Sequence, residues 1–246
     1  MSTINPIRVR FKKDHVSFGN NIVQDSLVLN LDAGNFLSYP GSGTTWTDLS
    51  GQGNDGTLVN GVGYNSSNGG SLSFDGANDY VSASSISFGI ENFTTSAIIK
   101  SNNTNFQYMI AQGGTGVPGN NGYGMALSSE GKVYGFIQDN SGRLITTPTP
   151  NTELSNDGLW HHICASWNRS NDVSFYVDGI FQYKESISSK SGSINGNPLF
   201  ISGYGNPIQP VGLFLGNIAQ VSIYNRALTA AEIQQNFNAT RSRFGI

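Results

Sequence analysis

The chain has 246 residues, 31 of them glycine, with 37% hydrophobic residues, only 12% charged residues and a net charge of −3. That length suits one large β-sandwich or two small domains, with a core big enough to need no covalent staples. The charge gives no global basis for binding nucleic acid or an anionic membrane, and the single cysteine, Cys164, excludes an intramolecular disulfide.

The opening Met1 to Pro6 lacks the apolar core of a signal peptide. No apolar run approaches the ~20 residues that span a bilayer. The expectation is a chain folded in a reducing cytoplasm, with no membrane partner. Residues 1–24 read as an arm or edge strand. Ile7, Val9 and Phe11 alternate with Arg8, Arg10 and Lys12, and Lys13 follows, so one face is apolar and the other cationic. That basic face is either solvated or docks on an acidic protein surface. The cluster is too short, and has too few stacking aromatics, to favour a nucleic-acid arm.

Short strands separated by turn signals follow. Residues 27–32, 71–74, 93–99, 107–111, 123–127, 132–138, 160–168, 173–177, 199–202 and 216–224 read as strands. Ser128 to Gly131 joins two of them as a hairpin. Long helical patterns do not alternate with the strands, so a parallel α/β fold is not expected. Thr229-Ala230-Ala231-Glu232 is a capping box. It opens a helix with Ile233 and Phe237 on one face, expected to end near Asn238 or Ala239. A tail, Arg241 to Ile246, completes the chain. The predicted architecture is all-β: an antiparallel two-sheet jelly-roll sandwich over residues 25–228, then a short helix and basic tail over 229–246.

Six motifs in order resemble the laminin-G-like family of concanavalin-A-like lectin domains. They are Leu29 to Ala33, Trp46 to Leu58 (W-x-D-x-S-G-x-x-N-x-G), Leu72 to Val81 (L-x-F-D-G-x-x-D-Y-V), Asp157 to Ile163 (D-G-x-W-H-H), Phe175 to Gly179 and Gly216 to Leu228. The resemblance implies that Trp160 and His162 are packing elements. His161, on the opposite strand face, is expected to be solvated. Asp48, Ser50, Asn54 and Asp55 are expected to hold their own loop. Asp75-Gly76 and Asp178-Gly179 read as tight turns, and Cys164 as a small buried hydrophobe.

Glycoside hydrolysis needs two carboxylates straddling the scissile bond. The glutamates at 91, 130, 153, 185 and 232 lack an aspartate two residues on, the spacing that would share a strand face. No Gly-x-Ser-x-Gly elbow is present, and adjacent His161 and His162 face opposite ways, unlike a metal pair. The expectation is a protein with no catalytic residues and no required cofactor. Relatives in the family bind calcium through sandwich-edge loops. Asp32, Asp75, Asn78 and Asp79 are the candidate ligands here, although Ala219-Gln220 stands where the family often has two carboxylates. A glycan site needs aromatic faces and planar polar groups. The candidates are Tyr123, Tyr134, Tyr204 and Asn206, with Phe136 nearby. Alternation puts either Tyr134 and Phe136 or Val133 and Ile137 inward, and the sequence leaves both open.

The closing strand, helix and Arg-x-Arg-Phe-Gly-Ile tail also resemble laminin-G-like structural proteins of tailed bacteriophages. That resemblance implies a virion protein (capsid decoration, fibre or similar) assembled in the host cytoplasm. It would be multicopy or homo-oligomeric, contacting other virion proteins through the N-terminal arm or C-terminal tail, and would bind glycans or partner proteins at the particle surface. A carbohydrate-binding module or a glycan-degrading enzyme on the same scaffold is the alternative.

Overall fold

The computed structural model describes residues 21–113, 120–149, 152, 155–195, 198–206 and 209–246. The basic-arm residues Arg8, Arg10, Lys12 and Lys13 lie outside the described residues. In chain order the strands are β1 (Leu27–Asp32), β2 (Thr45–Trp46), β3 (Gly56–Val59), β4 (Gly63–Asn65), β5 (Ser71–Asp75), β6 (Tyr80–Ala83), β7 (Phe93–Lys100), β8 (Gln107–Gln112) and β9 (Gly122–Leu127). They continue with β10 (Val133–Asp139), β11 (Gly142–Ile145), β12 (Trp160–Trp167), β13 (Asp172–Val177), β14 (Ile180–Ser186), β15 (Leu199–Ile201), β16 (Tyr204–Asn206), β17 (Gln209–Val211) and β18 (Leu215–Tyr224). Helix α1 (Ala230–Phe244) closes the chain.

Two antiparallel sheets form the expected sandwich. The first runs β14-β13-β12-β7-β18-β5-β4, with β1 also pairing β18. The second runs β11-β10-β9-β8-β15-β6-β3-β2, and β16 pairs β17 apart from both. Strand alternation sends one set of side chains between the sheets. Leu29, Leu31, Phe93, Trp167 and Phe175 from the first sheet meet Trp46, Met125, Val133 and Ile137 from the second in one buried core. The predicted hairpin forms, with Val133 opposite Leu127. Asp178 (φ 50°) and Gly179 (φ 76°) both take positive φ between Val177 and Ile180, the geometry of a two-residue type I′ turn.

The centre of the first sheet is buried on both faces. On β12, Ile163, Ala165 and Trp167 enter the sandwich core, while Cys164 packs on the other side with Tyr176, Tyr224, Leu228 and Ile233. Helix α1 covers that outer side. Thr229 and Glu232 form the reciprocal cap, and Arg226 grips Glu232 through two nitrogens, at 2.7 and 2.9 Å. The helix continues past its expected end to Phe244. The Phe244 ring packs 4.8 Å from Trp160, two arginines favour the C-terminal dipole, and Gly245 in the left-handed region caps it. Helix α1 lies over part of the first sheet's outer face, and among the described residues no α-helix covers that of the second.

Several structural readings need correction. His161 is not solvated but buried: its ring lies 2.8 Å from Asp178 and 3.2 Å from Asp157. Strands β2, β3, β4, β6, β11, β14, β16 and β17 are not among the strands read from the sequence. The Trp46–Leu58 loop does hold itself as expected. Asp48 accepts from Ser50 and Asn54 amides and from the Asn30 amide of β1, and Asn54 donates to Val28.

Candidate binding site

Three strands place a rung of side chains across the outer face of the second sheet. Tyr134 on β10 sits opposite Ala126 on β9, which sits opposite Tyr108 on β8. A small residue between two tyrosines makes a trough. The next rung is built alike, with Phe136 opposite Gly124. A Cβ at Gly124 would fall 2.2 Å from the Phe136 ring, so glycine is what lets that ring lie across β9. Val133 and Ile137 are the inward pair, which settles the open alternation: Tyr134 and Phe136 face outward.

Arg143, on β11, organises the trough. It donates to the Tyr204 hydroxyl at 2.9 Å and to the Tyr108 hydroxyl at 3.0 Å. Its guanidinium lies 4.1 Å from the centre of the Phe136 ring and 5.0 Å from that of Tyr204, within cation–π range. Tyr108 and Tyr204 stack at 4.7 Å. Phe106 adds edge contacts to Tyr108 and Tyr134, at 5.1 and 6.1 Å. Burial raises the Tyr204 phenol above its ordinary range, although the Arg143 charge acts the other way. The hydroxyl therefore stays protonated at neutral pH. The cleft lined by Phe106, Tyr108, Ala126, Tyr134, Arg143 and Ile145 encloses about 60 Å³, with Tyr204 stacked on Tyr108 beside it. Its rim is apolar and open, with Phe106 42% and Ile145 54% exposed. Aromatic faces beside fixed hydroxyl and guanidinium groups suit a flat amphipathic ring with polar edges.

The structure brings together Tyr134 and Tyr204 from the sequence-predicted glycan residues, and adds Phe106, Tyr108 and Arg143. Asn206 is in β16, its backbone opposite Gln209, two residues from Tyr204. Tyr123 belongs elsewhere. It pairs with inward-facing Ile137, is fully buried, and packs 4.8 Å from Phe93 and 5.4 Å from Phe88. It is a core residue and cannot present a face to a ligand.

The four candidate calcium ligands do not form one site. β1 and β5 lie end to end along β18, with Asp32 opposite Gln220 and Asp75 opposite Leu215. Five residues of strand separate them by about 15 Å. Asp32 instead holds Arg243 at 2.6 Å and the Gly34 amide. Asp75 Oδ1 accepts the amides of Ala77, Asn78 and Asp79. Those bonds, foremost that of Ala77, hold its carboxyl below the ordinary range. Burial, then the Asp75 charge, raises Asp79, whose Oδ2 accepts the Asp75 amide. Asn78 is exposed, and its carbonyl accepts from Asn60. Among the described residues, no group of three or more His, Cys, Asp or Glu side chains is placed to hold a metal ion.

A laminin-G family model, described as the concanavalin A-like lectin/glucanases superfamily, matches residues 75–234. Among solved structures, the chain is similar to the binding domain of Paraclostridial Mosquitocidal Protein 1. The TM-score is 0.66 at 21% identity, over 88% of this chain and 52% of that one. It is also similar to the receptor binding domain of the botulinum neurotoxin C/D mosaic serotype (TM-score 0.63, 16% identity, 87% and 51%). A third is the botulinum neurotoxin serotype D ligand binding domain in complex with N-acetylneuraminic acid (TM-score 0.63, 15% identity, 87% and 51%). The chain spans about half the length of these structures. At such identities the likeness establishes the sandwich fold.

Proposed function

The chain belongs to the concanavalin A-like lectin/glucanases superfamily, and we propose that it is a non-catalytic recognition domain that binds a carbohydrate in the Tyr108–Tyr134–Arg143 cleft. The observation that carries this reading is the outward rung of Tyr108, Ala126 and Tyr134, with Arg143 bonded to the Tyr108 hydroxyl. A trough between two aromatic walls suits the apolar face of a pyranose, while the tyrosine hydroxyls and guanidinium suit its hydroxyls. The fold neighbours named as binding domains, one holding N-acetylneuraminic acid, support a recognition role. A non-catalytic reading is supported by the glutamates. Glu232 caps α1, Glu185 accepts the Thr147 amide and Glu130 pairs with Lys132.

A cleft of this size grips a single sugar weakly, so the proposal includes display in many copies, where avidity multiplies a weak site. The virion surface expected from the sequence is such a setting, with the basic arm or the C-terminal tail contacting neighbouring particle proteins. The binding requires no resident cofactor or calcium. The test is a glycan array probed with the multivalently displayed chain, with and without added calcium. Calcium-independent binding to a defined glycan set, shifting the amide resonance of Ala126 in solution, is expected. Uniform absence of binding at high valency would leave the fold as a spacer and end the proposal.

A further inference from the structure

A second, polar space lies on the opposite side of the molecule, between α1 and the outer face of the first sheet. It is a well of about 220 Å³, lined chiefly by Gln24, Asn30, Asp32, Asn35, Gln220 and Thr240. A smaller chamber of about 10 Å³ adjoins it, sharing Ile22, Gln220 and Thr240 as walls and adding Ser96, His162 and Asn236. That volume is about one water or one hydroxyl. Two of these lining residues carry a buried polar atom with no hydrogen-bond partner among the described residues, His162 Nδ1 and Gln220 Oε1. The two residues are only 3% and 6% exposed. Buried polar atoms are normally satisfied, and leaving one an unsatisfied orphan is costly.

Several of the other polar groups are already bonded. His162 Nε2 lies 2.9 Å from Ser96 Oγ. Gln220 Nε2 donates to Asn30 Oδ1, which also accepts from Ser222. The sole carboxylate of the well among the described residues, Asp32, pairs with Arg243 at 2.6 Å. Asn236 ties α1 to the sheet by donating to the Tyr224 hydroxyl, and to the preceding segment by accepting the Val23 amide. Burial holds His162 neutral down to about 4. Among the described residues the well is thus amide-rich, electrically balanced and free of aromatic lining, unlike the aromatic cleft.

We propose that this well is a second ligand site, for a small neutral polyhydroxyl molecule (a sugar residue or polyol) that places a hydroxyl against Gln220 Oε1, with a hydroxyl or water reaching His162 Nδ1. Among the described residues, a cation would find no free carboxylate in the well and an anion no free positive charge. Neutral hydroxyls, which both donate and accept, match the two orphans and the ring of amides.

The experiment uses the isotope-labelled full chain titrated with glycerol and the methyl glycosides of glucose, galactose and N-acetylglucosamine, with glucuronate as the charged comparison. The Gln220 side-chain amide and the His162 ring nitrogens are the reporters. Saturable shifts with at least one neutral probe are expected. Gln220→Leu should weaken binding about tenfold, the equivalent of one buried hydrogen bond. Ala239→Phe, which fills the well from the helix without touching the orphans, should do the same if the first variant fails to fold. Tyr134→Ala, in the other cleft, should leave these shifts unchanged, so the two sites fail or stand separately. Shifts with glucuronate alone, no saturable shift with any probe, or a single water bridging His162 and Gln220 with the well otherwise unfilled by these probes would overturn the proposal.

Discussion

Replacing Glu232 by glutamine removes the charge that seats α1 over the first sheet. Its carboxylate accepts from Arg226 at 2.7 and 2.9 Å and from the Thr229 amide at 2.9 Å. The Arg226 bonds, above all, hold its carboxyl at about 2, against an ordinary 4.5. A difference of that size corresponds to roughly 3 kcal/mol. The side chain is 27% exposed, so solvent screens the pair, and about 1–2 kcal/mol is the expected loss in Glu232→Gln at neutral pH. A folded-state pKa lowered below the unfolded value gives stability that is full above about 4.5 and disappears as pH falls through about 2. Urea denaturation of both proteins across a pH series reads this directly. The gap should be steady from neutral pH down to the ordinary glutamate range and close toward pH 2. A gap of constant size throughout would refute the ion-pair reasoning and leave only a packing effect.

His161 should titrate above its ordinary 6.5. Burial opposes its charge, but the hydrogen bond and charge of Asp178, then those of Asp157, outweigh it. The resulting stability is full below 6.5 and lost as pH rises through the raised midpoint; an NMR titration in which Asp178→Asn leaves the midpoint unmoved would contradict the clamp. Gly135→Ala should cost about 1–3 kcal/mol by overpacking, because the new Cβ would fall 2.6 Å from Phe175 and 2.8 Å from Trp167; thermal melts measure it, and an unshifted midpoint would refute the close approach. Burial pushes the Cys164 thiol up, so a thiol reagent should label it only on unfolding, and rapid labelling of the native chain would show the site opens.

The sandwich was legible because its signals are local. The Asp178-Gly179 dipeptide needs only its own φ values, and the Thr229–Glu232 box only its own turn. Parity was not legible on β10, where Tyr134 and Phe136 face out and Val133 and Ile137 face in. Both faces are apolar because the outer one carries its own aromatic cluster, so alternation gave no contrast. Tyr123 failed for the same reason, its direction being set by pairing with Ile137. Arg143 was missed because β11 is four residues long and its partners, Tyr108 and Tyr204, are 35 and 61 positions away. Asp32 looked like a calcium ligand because its true partner, Arg243, lies 211 residues on. His161 looked solvated because Asp178, which buries it, arrives through the hairpin turn.

Binding of the best array glycan by the wild-type chain and by Tyr134→Ala, compared side by side at matched valency, bears most directly on the aromatic cleft. Loss of one stacking wall should weaken each site by about 0.5–1.5 kcal/mol, with the circular-dichroism spectrum unchanged. Equal binding by the two proteins would place recognition elsewhere and contradict the account.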